Sequence, residues 1–324
     1  MTAQNADDTP NGDSAAPKLV LVTESDDYSK NVRGIDIKVV RVGDHASPTE
    51  IRAATTADWV ATSMRIGFSV YSRTVLPANM IAVGAVECAP SGARWCGMDL
   101  ECGDVVVYGP EAEHVAVNPA GMRFSFAVIS IDDLARASDR LDVEIKVTDG
   151  SVQRVASSVA TQRVRALLPR LPNPALGNER PAALRSPKLI NVMSDVLVTA
   201  EGDRTASRRL NDSRIVLACI ECAERNQRIP TIDELSAASH VSERRLREAF
   251  HATQGMAPHA FFVTWGLDLA RRRLLAADPA SATVAWVACG AGFYHLGRFG
   301  RYYKAQYGES PSVTLRRDVP VEMV

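Results

Sequence analysis

From Lys18 to about Ile131 the hydrophobic positions alternate with polar ones over short runs. Ile35, Ile37 and Val39 flank Asp36 and Lys38, and Phe124, Phe126 and Val128 flank Ser125 and Ala127. A period of two sends successive side chains to opposite faces, so these runs predict half-buried β-strands. Turn-forming groups separate them: Gly43-Asp44, Leu76-Pro77-Ala78-Asn79, Ala89-Pro90-Ser91-Gly92, Gly103-Asp104 and Gly109-Pro110. Many short strands at regular spacing predict an antiparallel barrel or sandwich over residues 18–135.

The period then lengthens. VQRVASSVATQRVRALLPRL and SPKLINVMSDVLVTA repeat apolar residues every three or four positions and read as amphipathic helices, interrupted by Pro169, Pro172, Pro174 and Pro181. Residues 136–209 thus form an expected helical connector that offers an apolar face to a partner helix. A further helix, Leu210 to Arg225, leads into the last part of the chain. Residues 1–17, polar and acidic with no apolar core, are expected to be a disordered tail rather than a secretory signal.

Residues 230–311 contain a duplication. Leu246, Phe250, Gly255 and Pro258 recur as Phe299, Tyr303, Gly308 and Pro311, each 53 positions later, whereas Leu235 recurs as Val287 after 52, so the second turn is one residue longer. Each copy reads as a short helix, a tight turn and a longer helix, which is the helix-turn-helix unit. Thr231 and Glu234 have capping-box spacing, Ser242 is placed to cap the second helix, and Gly255 and Gly308 sit where a left-handed residue would end the longer helices. The segment HAFFVTWGLDLARRRLLAAD joins the copies as a linker helix.

On a helical wheel Phe299, Tyr303, Tyr307 and Leu296 fall in one arc and Arg298, Arg301, Gly297 and Lys304 on the far side. In the first copy Leu246, Ala249, Phe250 and Thr253 form the inner stripe, leaving Arg244, Arg247, Glu248 and His251 outside. A face of arginines beside short side chains suits a DNA major groove, where Arg donates two hydrogen bonds to a guanine edge. Gly297 and Gly300 oppose helix propensity, and close approach of a DNA backbone would explain Gly297.

Charge sharpens this picture. The 324-residue chain has a formal net charge of −1, but residues 228–317 hold twelve Lys or Arg against seven Asp or Glu. A basic end is thus hidden by an acidic remainder. No run of about 18 apolar residues suggests a membrane span, and six cysteines without an export signal read as reduced thiols, so a cytoplasmic location is expected. Cys219 and Cys222 make a C-x-x-C without a second pair or histidines to complete a zinc site, and they lie in an apolar helical run. Buried thiols are the expected reading, and no metal, cofactor or nucleophile–base arrangement is predicted.

From Arg214 to Arg317 the chain resembles the AraC/XylS family of bacterial transcription regulators, through the run Gly292-Phe293, Phe299, Arg301, Lys304, Tyr307-Gly308 and Ser310-Pro311. The resemblance implies an α+β protein: a cupin-like antiparallel β-barrel, a helical connector, and a C-terminal all-α domain (210–317) with two helix-turn-helix units. It implies base reading by Arg244, Arg247 and Glu248 in the first copy and by Leu296, Gly297 and Arg301, with His295 and Arg298 close by, in the second. Ser242, Arg245 and Lys304 would then meet phosphates. Two departures stand out. Gly266 replaces an arginine that many members carry in the linker helix, although Arg271, Arg272 and Arg273 lie nearby. Trp286 replaces an acidic residue, which suggests that it packs against the linker or the N-terminal domain.

The implied role is a sequence-specific regulator, more often an activator than a repressor, that binds promoter DNA, contacts RNA polymerase and forms a homodimer. Its N-terminal domain would sense a small molecule near Trp95, Tyr108, His114 and Phe126, as aromatic groups with a polar handle often line a pocket. The alternative is control by a protein partner docking on that domain, without a ligand.

Overall fold

The computed structural model describes residues 15–32, 34–42, 47–55, 59–141, 150, 152–172, 186–199 and 206–317. The turn at Gly43-Asp44, Pro174, Pro181 and most of the expected tail lie outside the described residues.

The N-terminal half consists of two antiparallel sheets. One has seven strands in the order β1 (Ala15–Val22), β3 (Thr49–Thr55), β4 (Trp59–Arg65), β11 (Arg123–Ser130), β6 (Met80–Cys88), β9 (Val105–Tyr108) and β12 (Val152–Val155). The other has five, in the order β2 (Asp36–Arg41), β5 (Val70–Val75), β10 (Glu113–Asn118), β7 (Arg94–Trp95) and β8 (Met98–Asp99). The expected barrel is not closed, because no ladder joins the two sheets among the described residues: β1 and β12 edge one, β2 and β8 the other. The architecture is an open sandwich.

Alternation sets what each strand does. In β11, Phe124, Phe126 and Val128 face the space between the sheets, while Ala127 and Ile129 face outward onto helices. Those helices are α2 (Ile131–Leu141), α3 (Val159–Leu167) and α4 (Ser186–Thr199), whose Leu134, Val164, Met193 and Val196 cover the sheet. A short helix, α1 (Asp27–Asn31), brings Tyr28 into the inter-sheet core.

Two expectations shift here. Val152–Val155, read from periodicity as helical, adds to β9 as an edge strand, and the helix begins only after Ser158, whose Oγ accepts from the Thr161 N–H in a full capping box. The ladder groups offered by β9 outweigh the local helical period. β1 starts at Ala15, inside the expected tail, and pairs with β3.

The C-terminal half is helical: α5 (Ala206–Asn226), α6 (Ile232–Ser239), α7 (Glu243–Gln254), α8 (Pro258–Ala276), α9 (Val284–Gly290), α10 (Leu296–Tyr307) and α11 (Pro311–Leu315). The capping box of Thr231 and Glu234 and the Ser242 cap are present. Gly255 and Gly308 both end their helices at φ +72°, the left-handed geometry that glycine adopts without penalty. Among the described residues no helix is long and apolar enough to cross a membrane.

Candidate nucleic-acid interface and the sheet behind it

The longer helix of the first unit, α7, is seated by Leu246, Ala249, Phe250 and Thr253, all buried, with the Phe250 ring 5.4 Å from Phe261 and 5.7 Å from Phe262 of α8. Arg244, Arg247 and Glu248 are exposed on the opposite face. Arg244 Nε pairs with Glu248 at 3.1 Å, and Arg247 pairs with Glu243. Surface pairs of this spacing stabilise by only about 0.3–0.5 kcal/mol, so both arginines can exchange them for another acceptor. Arg245 points inward, to the buried Asp212 of α5. A phosphate would have to displace that carboxylate. Ser242 Oγ accepts from the Arg245 N–H and so serves the helix start.

The longer helix of the second unit, α10, packs Phe299, Tyr303 and Tyr307 inward as a row of rings 5.5 and 4.6 Å apart. Arg298, Arg301, Lys304, His295 and Gly297 are exposed. Leu296 departs from the wheel: it is 45% exposed, because the inner arc has nothing beneath it in the first turn. A Cβ at Gly297 or Gly300 would meet nothing within 4 Å, so the protein's own packing demands neither glycine.

The two departures in the linker region now have physical accounts. A Cβ at Gly266 would lie 2.6 Å from Ile229 Cγ1, so no side chain fits there and the position faces the core, not DNA. Trp286, expected to pack, is 71% exposed. The three nearby arginines also turn inward or sideways. Arg271 is buried and bonds Glu24 and Glu309, Arg272 pairs with Asp268 at 3.2 Å, and Arg273 donates to the Gln227 carbonyl.

The first unit and the linker helix rest on the outer face of the five-stranded sheet. Val40, Tyr71, Val115 and Val117 join the core of the helical half, and the Tyr71 ring sits 5.0 Å from Phe261. Charged contacts frame this patch: Lys38 Nζ to Glu224 at 2.8 Å, Arg73 to Glu221 at 2.8 Å, and Arg94 Nη1 donating to the His251 carbonyl at the end of α7. A second group holds the linker and α10. Asp268 Oδ1 accepts from Ser25 Oγ at 2.8 Å and from the Arg41 N–H at 3.2 Å, and Gln306 donates to the Arg41 carbonyl at 2.9 Å. Arg41 itself is buried with its guanidinium 4.4 Å from the Phe68 ring and 5.4 Å from that of Tyr307. Burial pushes the Asp268 carboxyl up to about 6, against the pull of Arg272. None of these docking residues was singled out in the sequence. The available signal was Arg41, a cation on the inward phase of Ile37 and Val39.

The inner face of the same sheet bounds a cavity between the sheets. Trp95, Tyr108, His114 and Phe126 all line it, as do Ser72, Thr74 and Asn118. Trp95 Nε1 donates to Asn118 Oδ1 at 2.9 Å, and Asn118 Nδ2 to Ser72 Oγ at 3.3 Å. The Tyr108 and His114 rings lie 4.8 Å apart. Burial lowers the His114 imidazole to about 4 and raises the Tyr108 phenol well above its ordinary value.

Cys219 and Cys222 are buried in α5, and burial pushes the Cys219 thiol up to about 12, which leaves it a packing group. Among the described residues no cluster of three or more His, Cys, Asp or Glu could hold a metal ion.

Comparison with known proteins follows the same division. A helix-turn-helix domain profile matches residues 235–317. The probable thc operon regulatory protein of Rhodococcus erythropolis is 36% identical over 131 residues, 39% of each chain, and XylDLEGF operon transcriptional activator 1 of Pseudomonas putida is 33% identical over 104 residues, 32% of this chain and 30% of that protein. The chain therefore matches about two fifths or less of these relatives' lengths. A solved probable AraC family transcriptional regulator from Rhodopseudomonas palustris is 33% identical, with 98% of that structure and 33% of this chain covered at a TM-score of 0.29. Residues 235–317 are therefore a helix-turn-helix domain, in a C-terminal part similar to that of these transcription regulators.

Proposed function

We propose that the chain is a sequence-specific activator of transcription in which α7 and α10 read double-stranded DNA and a small molecule between the sheets sets how they are held. The observation that carries this reading is the five-stranded sheet, whose inward residues line the cavity and whose outward residues seat α7 and the linker helix that joins it to α10. A ligand that repositions β5 and β10 alters both surfaces at once. The mechanism is a population shift: the ligand favours one docking of the two units, and with it one promoter affinity or one contact with RNA polymerase. A homodimer bound to paired sites is part of the same proposal. The apolar cavity between the sheets favours a small molecule over a docking protein as the signal.

Arg244, Arg247, Arg298 and Arg301 are the proposed base readers, with Glu248, His295, Leu296 and Gly297 on the same surface. Lys304 is the proposed phosphate contact, with Ser242, and Arg245 only on release from Asp212. Sites selected from random DNA by the purified chain test these roles. Arg301→Ala should lose about 1–3 kcal/mol of discrimination at one base. Lys304→Ala should weaken every sequence alike and reduce the salt slope by about one. Equal, sequence-blind losses from both would overturn the assignment.

Gly297→Ala supplies a test with opposed signs. Alanine should stabilise the helix by about 1 kcal/mol, yet weaken DNA binding if a phosphate backbone passes over that position. Stability from denaturation and affinity from a gel-shift titration should move in opposite directions.

A further inference from the structure

The space between the sheets is lined mainly by hydrocarbon: Ile37, Val39, Met64, Ile66, Phe124 and Phe126 form much of its wall. No Lys, Arg, Asp or Glu lines it among the described residues. Arg41, on the inward phase of β2, does not supply a charge there, because its guanidinium is held between Phe68 and Tyr307 and donates to the Thr23 carbonyl.

Polar groups are few and unevenly used. Trp95, Asn118 and Ser72 satisfy one another in a chain of hydrogen bonds, and Tyr28 donates to Thr49. Tyr108, His114 and Thr74 differ: each is buried, at 8%, 8% and 7% exposure, and none makes a side-chain hydrogen bond among the described residues. Thr74 and His114 are direct cross-strand partners on β5 and β10, and the Tyr108 ring faces His114 from β9. The protein seals off none of their polar atoms, so all three side chains, on one wall of the cavity, are free to hydrogen-bond a guest.

We infer that this cavity takes an uncharged, largely apolar molecule carrying one hydrogen-bonding group, such as a carbonyl, amide or hydroxyl, which meets Tyr108, His114 and Thr74. The inference rests on the reading of the cavity as the effector site and names the class of effector. A carboxylate or ammonium there would be stripped of water with no opposite charge to receive it. The imidazole does not change this, since burial keeps it neutral at neutral pH and it offers one donor and one acceptor. The phenol is likewise a neutral donor.

The experiment uses the full chain and three probes that share one ring system: 2-naphthamide, 2-naphthoate and 2-naphthylmethylamine, with benzamide as a smaller neutral probe. Dissociation constants at pH 7.5 come from calorimetry and from the fluorescence of Trp95, which lines the cavity. The expected result is an amide that binds at least about 100-fold more tightly than the acid or the amine. Ala116→Phe, which fills the cavity, should abolish that binding. Tyr108→Phe removes only a hydroxyl without a partner, so it should leave the melting temperature unchanged and weaken the amide about tenfold. Acid or amine binding that equals or exceeds the amide's and is lost in Ala116→Phe overturns the neutral class and leaves the effector site standing. Failure of both neutral probes to bind, or binding that Ala116→Phe does not affect, overturns both readings.

Discussion

Arg271→Ala is expected to lower the unfolding free energy of the full chain by about 3 kcal/mol, because it empties a buried guanidinium site and leaves two part-buried carboxylates without their cation. The Arg271 side chain is only 4% exposed, gives Nε and Nη2 to Glu24 at 2.7 Å each and Nη1 to Glu309 at 3.1 Å, and lies 4.5 Å from the Tyr307 ring. Burial works against its charge, but the hydrogen bonds and charge of Glu24 outweigh it and hold the guanidinium firmly protonated. Arg271→Lys should rescue only in part, since an ammonium cannot hold two carboxylates and a ring in one plane. Urea denaturation measures the change, and a loss below about 1 kcal/mol would mean the group is not clamped. The same variant releases the linker helix from the N-terminal half, so any ligand response in DNA binding should fade with it.

Acid should destabilise the chain through His114. Its imidazole titrates near 6.5 when unfolded and about 4 when folded, with burial the cause. A base held neutral by folding contributes stability above its unfolded value and loses it as pH falls toward the folded one. Between pH 6.5 and 4 that loss reaches about 3 kcal/mol. Asp268 acts with the opposite sign in part of this window, because a carboxyl raised to about 6 favours the folded state as pH falls. Tyr108 and Cys96, the titratable groups near His114, are raised and stay neutral throughout. The difference between wild type and His114→Gln, followed by thermal unfolding from pH 7.5 to 4, isolates the imidazole. Parallel profiles would remove His114 from the account.

What the sequence revealed follows the range of the forces involved. The helix-turn-helix copies are local objects: caps at Thr231 and Ser242, glycines at 255 and 308, and stripes of Leu246 with Phe250 and of Phe299 with Tyr303 all act within a few residues. Alternation likewise marked β2 and β11. Sheet assembly was not legible, because β11 pairs with both β4 and β6, and Val152–Val155 became a strand only through β9. The docking cluster was hidden for the same reason: the Arg271 partner Glu24 is 247 positions away, and three consecutive arginines read more readily as a basic surface. For the candidate site, a wheel gives the angle of Leu296 but not whether anything lies beneath it.

The five-stranded sheet is one residue thick, and β10 turns each successive side chain to the other side: His114, Ala116 and Asn118 inward, Val115 and Val117 outward. On the proposed function, recognition of a guest and seating of α7 are therefore written in alternating letters of one six-residue word. A substitution at position 116 would then change the molecule answered to, while the neighbours at 115 and 117 keep their grip on the helical half.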